Sequence, residues 1–265
     1  MLRAYVYLFL AFLYAPILLL PVFAFNDSTV IAFPLDGVTT KWFAAVRTNS
    51  ELHGALLNSL MVAGAASVIS VLLGLAAARA NIRYRFPAKA AAMGLIMVPL
   101  VLPEIIVGTS LLVVVARLLQ WPLSLWTVMA AHVLICTPFA VAILNASFQA
   151  LDPAMEEASI DLGETRASTF RLVTLPLVMP GVVAALLISF TISLDEFIIA
   201  FFLTGSEPTL PVYIWSLLRF PRELPVIMAL GTILVALSIL LLTLAEWNRR
   251  RGLRRAGVKD TGGFL

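Results

Sequence analysis

Glu104, Asp195 and Glu196 are acids set within long apolar runs, with no Lys or Arg beside them in those runs. Such carboxylates are expensive unless they face a cavity or a watery path, which makes them candidate substrate-path groups. The string Met97–Glu104 reads MVPLVLPE, with Pro99 and Pro103 four residues apart beside the acid. In a continuous helix each proline removes one backbone bond, freeing the carbonyls of Leu95 and Pro99. A carboxylate next to freed carbonyls suits a cation; the plainer alternative is a packing kink with a neutral glutamate. Asp195 and Glu196 have Phe190, Phe197, Tyr213 and Trp215 nearby in sequence. Carboxylates pair with ammonium groups and aromatic faces attract them, so this set suits an organic cation. The alternative is that both acids are hydrated at the end of a helix.

A second constellation is polar. Residues 149–175 read QALDPAMEEASIDLGETRASTFRLVTL, and Pro176 follows. Asp152 is placed to cap a helix whose first residue is Pro153, where the missing N–H costs nothing. Gly163 supplies the left-handed residue that ends that helix after about Leu162. A second short helix is expected from about Thr165 to Val173, stopping before Pro176. The pair reads as a helix–turn–helix with its charges solvated.

The elements that must position these groups follow from composition. The chain has 265 residues, 61% hydrophobic and 12% charged, where a soluble domain carries about 25% charged. That excludes a large soluble enzyme, and the apolar content excludes disorder. A helix needs about 20 apolar residues to cross a bilayer. Six stretches qualify: Ala4–Asn26, Gly54–Ala78, Ala90–Ala116, Leu118–Leu151, Leu172–Leu194 and Leu224–Ala245. The expected fold is therefore an all-α membrane protein with six transmembrane helices. One domain is expected over 1–265, with a core of about 51–250, the polar loop at 149–176 and a basic tail at 248–265. The first stretch has a rival reading as a signal peptide with Val22-Phe23-Ala24 as the cleavage site, but it is long and contains Pro16 and Pro21; a retained helix is expected.

The basic residues orient the spans. Arg3, Arg79, Arg83, Arg85, Lys89, Arg166, Arg171, Arg249, Arg250, Arg251, Arg254, Arg255 and Lys259 fall on one side, which is 13 of the 18. Lys41, Arg47, Arg117, Arg219 and Arg222 fall on the other. By the positive-inside rule both termini and the 149–176 loop are expected in the cytoplasm. On the outside, residues 27–53 form the longest loop. Residues 205–225 carry Pro208, Pro211, Pro221 and Pro225 around a short interfacial or re-entrant helix. In the second span Ala66, Ser70, Gly74 and Ala78 make a small-residue face for close helix packing. Cys136 is the lone cysteine, so no internal disulfide forms. No internal repeat is evident.

The cytoplasmic loop resembles a known family. Permeases of bacterial ATP-binding-cassette (ABC) importers carry EAA, three residues, Gly, nine residues, Ile, any residue, then Leu-Pro. Here Glu157-Ala158-Ser159, Gly163 and Val173-Thr174-Leu175-Pro176 stand at those spacings, with Ser159 for Ala and Val173 for Ile. The resemblance implies a type I importer permease in the bacterial inner membrane, with the loop as its ATPase-coupling helix. Glu157, Ala158, Ser159, Gly163, Leu175 and Pro176 are its coupling residues by that resemblance. Tyr14-Ala15-Pro16, Phe25-Asn26-Asp27-Ser28, Asn58-Ser59, Pro103-Glu104 and Ser193-Leu194-Asp195-Glu196-Phe197 narrow it. They are similar to the spermidine/putrescine permeases, especially the second membrane subunit of that system, over about Tyr5–Trp247. The implied partners are two ABC ATPase copies, a second and different permease, a solute-binding protein and membrane lipid, with no nucleic acid.

None of the lysines, Lys41, Lys89 and Lys259, follows a glycine, so the chain lacks a phosphate-binding loop. ATP and Mg are expected on the partner ATPase, with no metal or catalytic residue here. The remaining alternatives are a permease for an opine or another small amine, an ion-coupled secondary carrier using Glu104, Asp195 and Glu196, and an intramembrane enzyme. The last would need more than His53 and His132 offer; His132 reads as a hydrogen-bonding residue of the helix bundle.

Overall fold

The computed structural model describes residues 2–255. The basic tail expected at 248–265 lies outside the described residues from 256 onward. No β-strand occurs among the described residues; a single bridge joins Asn26 and Val38. The helices in chain order are α1 (Leu2–Ala24), α2 (Lys41–Thr48), α3 (Ser50–Arg83), α4 (Lys89–Val101), α5 (Glu104–Val113) and α6 (Leu125–Gln149). Then come α7 (Pro153–Asp161), α8 (Arg166–Thr169), α9 (Leu175–Asp195), α10 (Ile198–Leu203), α11 (Leu210–Leu217) and α12 (Leu224–Arg255).

Among the described residues five helices are long and apolar enough to cross a membrane, and a bent pair makes a sixth crossing if it counts as one span. That pair is Lys89–Val101 with Glu104–Leu118, turned by 106°. The third span expected at Ala90–Ala116, with its prolines at 99 and 103, is this broken pair. Leu102 and Pro103 adopt extended backbone angles, and Pro103 stands as the cap of α5 rather than inside a helix. The physical cause is the residue before proline, which is driven out of the helical region. Broken backbone of this kind survives at membrane depth where it lines a cavity or is buried in protein.

The fourth span starts later than Leu118. Gln120 has φ +52°, and Ser124 forms a reciprocal capping box with Thr127 at the start of α6. Two orphan N-terminal groups are satisfied at once, which sets the helix start there. The second span is longer than Gly54–Ala78 at both ends, so His53 lies in α3 and not in the preceding loop. The short helix expected among the prolines of 205–225 is α11.

The described residues form two compact units, 51–213 and, separately, 2–50 with 214–255. In the second of these, α1 and α2 each pack on α12. Its loop is tied by Trp42 Nε1 donating to the Asn26 carbonyl at 2.7 Å and by the Lys41–Asp27 ion pair at 2.5 Å.

In residues 51–213, α6 and α9 pack along their lengths. One core gathers Val128, Ile135, Ile199 and Leu203; another gathers Ala140, Leu144, Phe148 and Val178. Buried His132 Nδ1 meets Ser193 Oγ at 2.7 Å across α6 and α9, and Cys136 Sγ donates to the Ser189 carbonyl at 3.4 Å. The small face of α3 is buried at Ala66, Ser70, Gly74 and Ala78. A Cβ at Gly74 would lie 2.8 Å from Ala140 Cβ and 3.1 Å from its backbone carbon. Gly74→Leu is expected to lower the membrane level of the protein several-fold, since overpacking costs about 1–3 kcal/mol. Immunoblots against Gly64→Leu check this, because a Cβ at Gly64 meets nothing within 4 Å.

Candidate functional site

The polar loop folds locally as its capping residues dictate. Asp152 Oδ1 accepts the Ala154 N–H at 3.0 Å, Pro153 opens α7, and Gly163 stands at φ +96° after the helix ends. Thr165 caps α8 by accepting the Ser168 N–H at 3.2 Å. The second arm does not stop before Pro176, however. A π-turn over Phe170–Thr174 carries α8 directly into α9, making one helical span from Arg166 to Asp195. Leu175 N–H bonds back to the Phe170 carbonyl, and Pro176 falls in the first turn of α9. There its missing N–H is tolerated.

No residue of α7 is buried. Glu157, Ala158 and Gly163 are exposed, Ser159 is half-buried, and a Cβ at Gly163 would meet nothing within 4 Å. Met155, Ile160 and Leu162 are exposed apolar side chains, Leu162 by 87%. A cavity of about 600 Å³ lies along Ala154, Met155, Ala158, Leu162 and Val173. These apolar side chains stand open on one face of a short helix. Leu175 is half-buried and Pro176 exposed at the root of α9.

The opposite edge of α7 is polar and anchored. Glu156 Oε2 lies 2.8 Å from Arg83 Nε at the end of α3, and Glu156 Oε1 accepts the Thr174 hydroxyl at 2.5 Å. Arg79, one turn before Arg83, sits over the Phe170 ring at 4.2 Å. Together with Tyr84 and Arg166 they border a second cavity of about 410 Å³. Sequence reasoning missed these residues. It used Arg79 and Arg83 only as charges to be counted, and the Glu156 neighbour Glu157 drew attention through its motif. An arginine pair at one helix end, facing a loop with an inward acid, was the available signal.

The membrane acids divide into different environments. Glu104 opens α5 and is exposed, Asp195 ends α9 and is exposed, and Glu196 is buried. Glu196 Oε1 accepts the Ile199 N–H at 2.9 Å, capping α10. α10 packs on α5, where a Cβ at Gly108 would lie 3.5 Å from the Ile199 Cα. Glu104 opens α5 and Glu196 binds the first turn of α10, so the packing of α10 on α5 puts the two acids on neighbouring helices. Tyr213 on α11 is buried, whereas Trp215 is 46% exposed. The segment after α10 is tied back to α3: Asn58 Nδ2 donates to the Pro208 carbonyl at 3.1 Å and Ser59 Oγ accepts the Leu210 N–H at 2.8 Å.

Comparison with known proteins decides the family. Residues 70–253 match the model of the binding-protein-dependent transport system inner membrane component. The chain belongs to this family. It is thus a multi-pass permease subunit of an ABC importer. The permease is 34% identical to the putrescine transport system permease protein PotI of Escherichia coli K12, covering 92% of each chain. It is 35% identical to the spermidine/putrescine permease PotC of the same strain, covering 89% of each. The PotC protein of Haemophilus influenzae is 32% identical over 94% of the permease and 96% of that protein. Its fold matches a bacterial ABC transporter involved in the import of the polysaccharide alginate, with a TM-score of 0.71 at 15% identity over 91% and 93% of the two chains. A second match, at TM-score 0.69 and 20% identity over 92% and 90%, is an alginate transporter in complex with a pentasaccharide-bound periplasmic protein.

Proposed function

We propose that this permease imports a polyamine, putrescine or spermidine, by ATP-driven alternating access across the inner membrane. One observation carries the substrate class: the permease is 34% and 35% identical, over about nine-tenths of its length, to two polyamine permeases. A solute-binding protein delivers the polyamine to the outer face. A second, different permease completes the pathway, and two copies of a cytoplasmic ATPase hold ATP and Mg, since this chain lacks a phosphate-binding loop. Both termini and α7 face the cytoplasm, in keeping with the 13 of 18 basic residues assigned to that side.

α7 is the coupling helix in this reading. Its exposed Glu157, Ala158 and Gly163, with Ser159, Leu175 and Pro176 behind them, meet the ATPase. ATP-driven closure favours one of two global states, and a stiff helix passes that bias on as a rigid-body movement. Glu104, Asp195 and Glu196 with Tyr213 form the path for the ammonium groups.

The test is uptake of labelled putrescine and spermidine by cells with and without this gene, and with the partner ATPase deleted. Loss of uptake in both deletions is expected. Normal polyamine uptake without the gene, once redundant systems are removed, would overturn the polyamine assignment and move the search to opines and other small amines.

A further inference from the structure

Because none of α7 is buried, apolar packing does not set its angle; polar contacts must. They converge on Glu156. Each of its carboxylate oxygens is engaged, one by Arg83 Nε at 2.8 Å from the end of α3, the other by Thr174 Oγ1 at 2.5 Å beside the root of α9. The Arg83 and Glu156 side chains are only 16% and 15% exposed, and Thr174 is buried. Salt screens shielded charges of this kind far less than surface pairs. Arg83 Nη2 also reaches the Leu151 carbonyl at 3.5 Å, just before α7. On the next turn Ser159 Oγ meets Thr169 Oγ1 at 3.1 Å. Neighbouring residues on a helix point about 100° apart, so Glu156 turns inward while Glu157 is exposed.

We infer that Glu156 is a positioning residue for energy coupling: through Arg83 and Thr174 it latches α7 to α3 and α9 at once. A push on α7 is then delivered to two transmembrane helices together instead of being absorbed by a pivot at the Asp152 and Gly163 turns. The inference rests on the coupling role proposed for α7. It adds that the transmission depends on one internal carboxylate that is not part of the docking face.

The experiment uses the assembled complex of both permeases, ATPase and binding protein in proteoliposomes, with labelled putrescine as probe. It reads two quantities: the ATPase retained when the permease is purified, and the ATP hydrolysed per putrescine imported. Glu156→Gln, Arg83→Glu and Thr174→Val should retain the ATPase while raising that ratio roughly tenfold or more, the scale of one lost interaction with a shielded charged group. The exchange Arg83→Glu with Glu156→Arg should bring the ratio back toward wild type, which a general loss of structure would not do. An unchanged ratio in the single variants overturns the latch, as does a ratio the exchange fails to recover. Ala158→Trp, on the docking face, should release the ATPase. If Glu156→Gln releases it equally, Glu156 is a partner contact and the latch falls. If Ala158→Trp retains both ATPase and uptake, the coupling role of α7 falls and takes the latch with it.

Discussion

Gly163→Val should leave the permease in the membrane at wild-type level while uptake drops about 5- to 30-fold. The residue stands at φ +96°, and a Cβ there meets nothing within 4 Å. The penalty therefore comes from the backbone and not from collision within the chain. A side chain in the left-handed region costs about 1–2 kcal/mol, more when β-branched. Because the strain falls on an exposed turn, it changes the balance between two loop conformations by about the stated factor. The turn joins α7 to α8, which continues as one helix into the fifth span, so a reset turn re-aims the coupling helix. Asparagine tolerates φ > 0, and Gly163→Asn is expected to transport close to wild type. Immunoblots and putrescine uptake for the Asn, Ala and Val series check this. If asparagine is as damaging as valine, the glycine acts by admitting the partner closely, and the conformational account fails.

The second large effect concerns the membrane acids. Glu196→Gln keeps an amide oxygen to accept the Ile199 N–H, so α10 stays capped and the protein should assemble. The carboxylate is lost all the same. A hydrogen bond to a charged group contributes about 1.5–3 kcal/mol, so the KM for putrescine should rise about tenfold or more. Glu104→Gln should act in the same direction. Glu196→Ala removes cap and charge together and should also lower the amount of protein in the membrane. Asp195→Asn tests the third acid, which is exposed at the end of α9. Uptake kinetics paired with membrane levels separate these effects. Wild-type KM and rate in Glu196→Gln and Glu104→Gln would remove both acids from the substrate path.

Much of this protein was decided by sequence-local physics. Twenty-residue apolar stretches become spans because an unpaired backbone has no partner in lipid. Asp152, Pro153 and Gly163 delimit α7 because capping and the left-handed turn act within a few residues. The small residues Ala66, Ser70, Gly74 and Ala78 are buried together because a four-residue spacing puts them on one helix face.

Other features needed the tertiary structure. The 106° break before α5 depends on what the two half-helices pack against, so two prolines in the string implied a kink without its angle. The run of α8 through Pro176 into α9 depended on a π-turn that absorbs the register change. Glu196 looked like a bare charge, yet folding has it accept the Ile199 N–H at the start of α10, which packs on the helix that Glu104 opens. The Arg83–Glu156 pair joins residues far apart in the chain. Pairing across spans is set by how helices pack, and helix packing is a property of whole surfaces that no local spacing encodes.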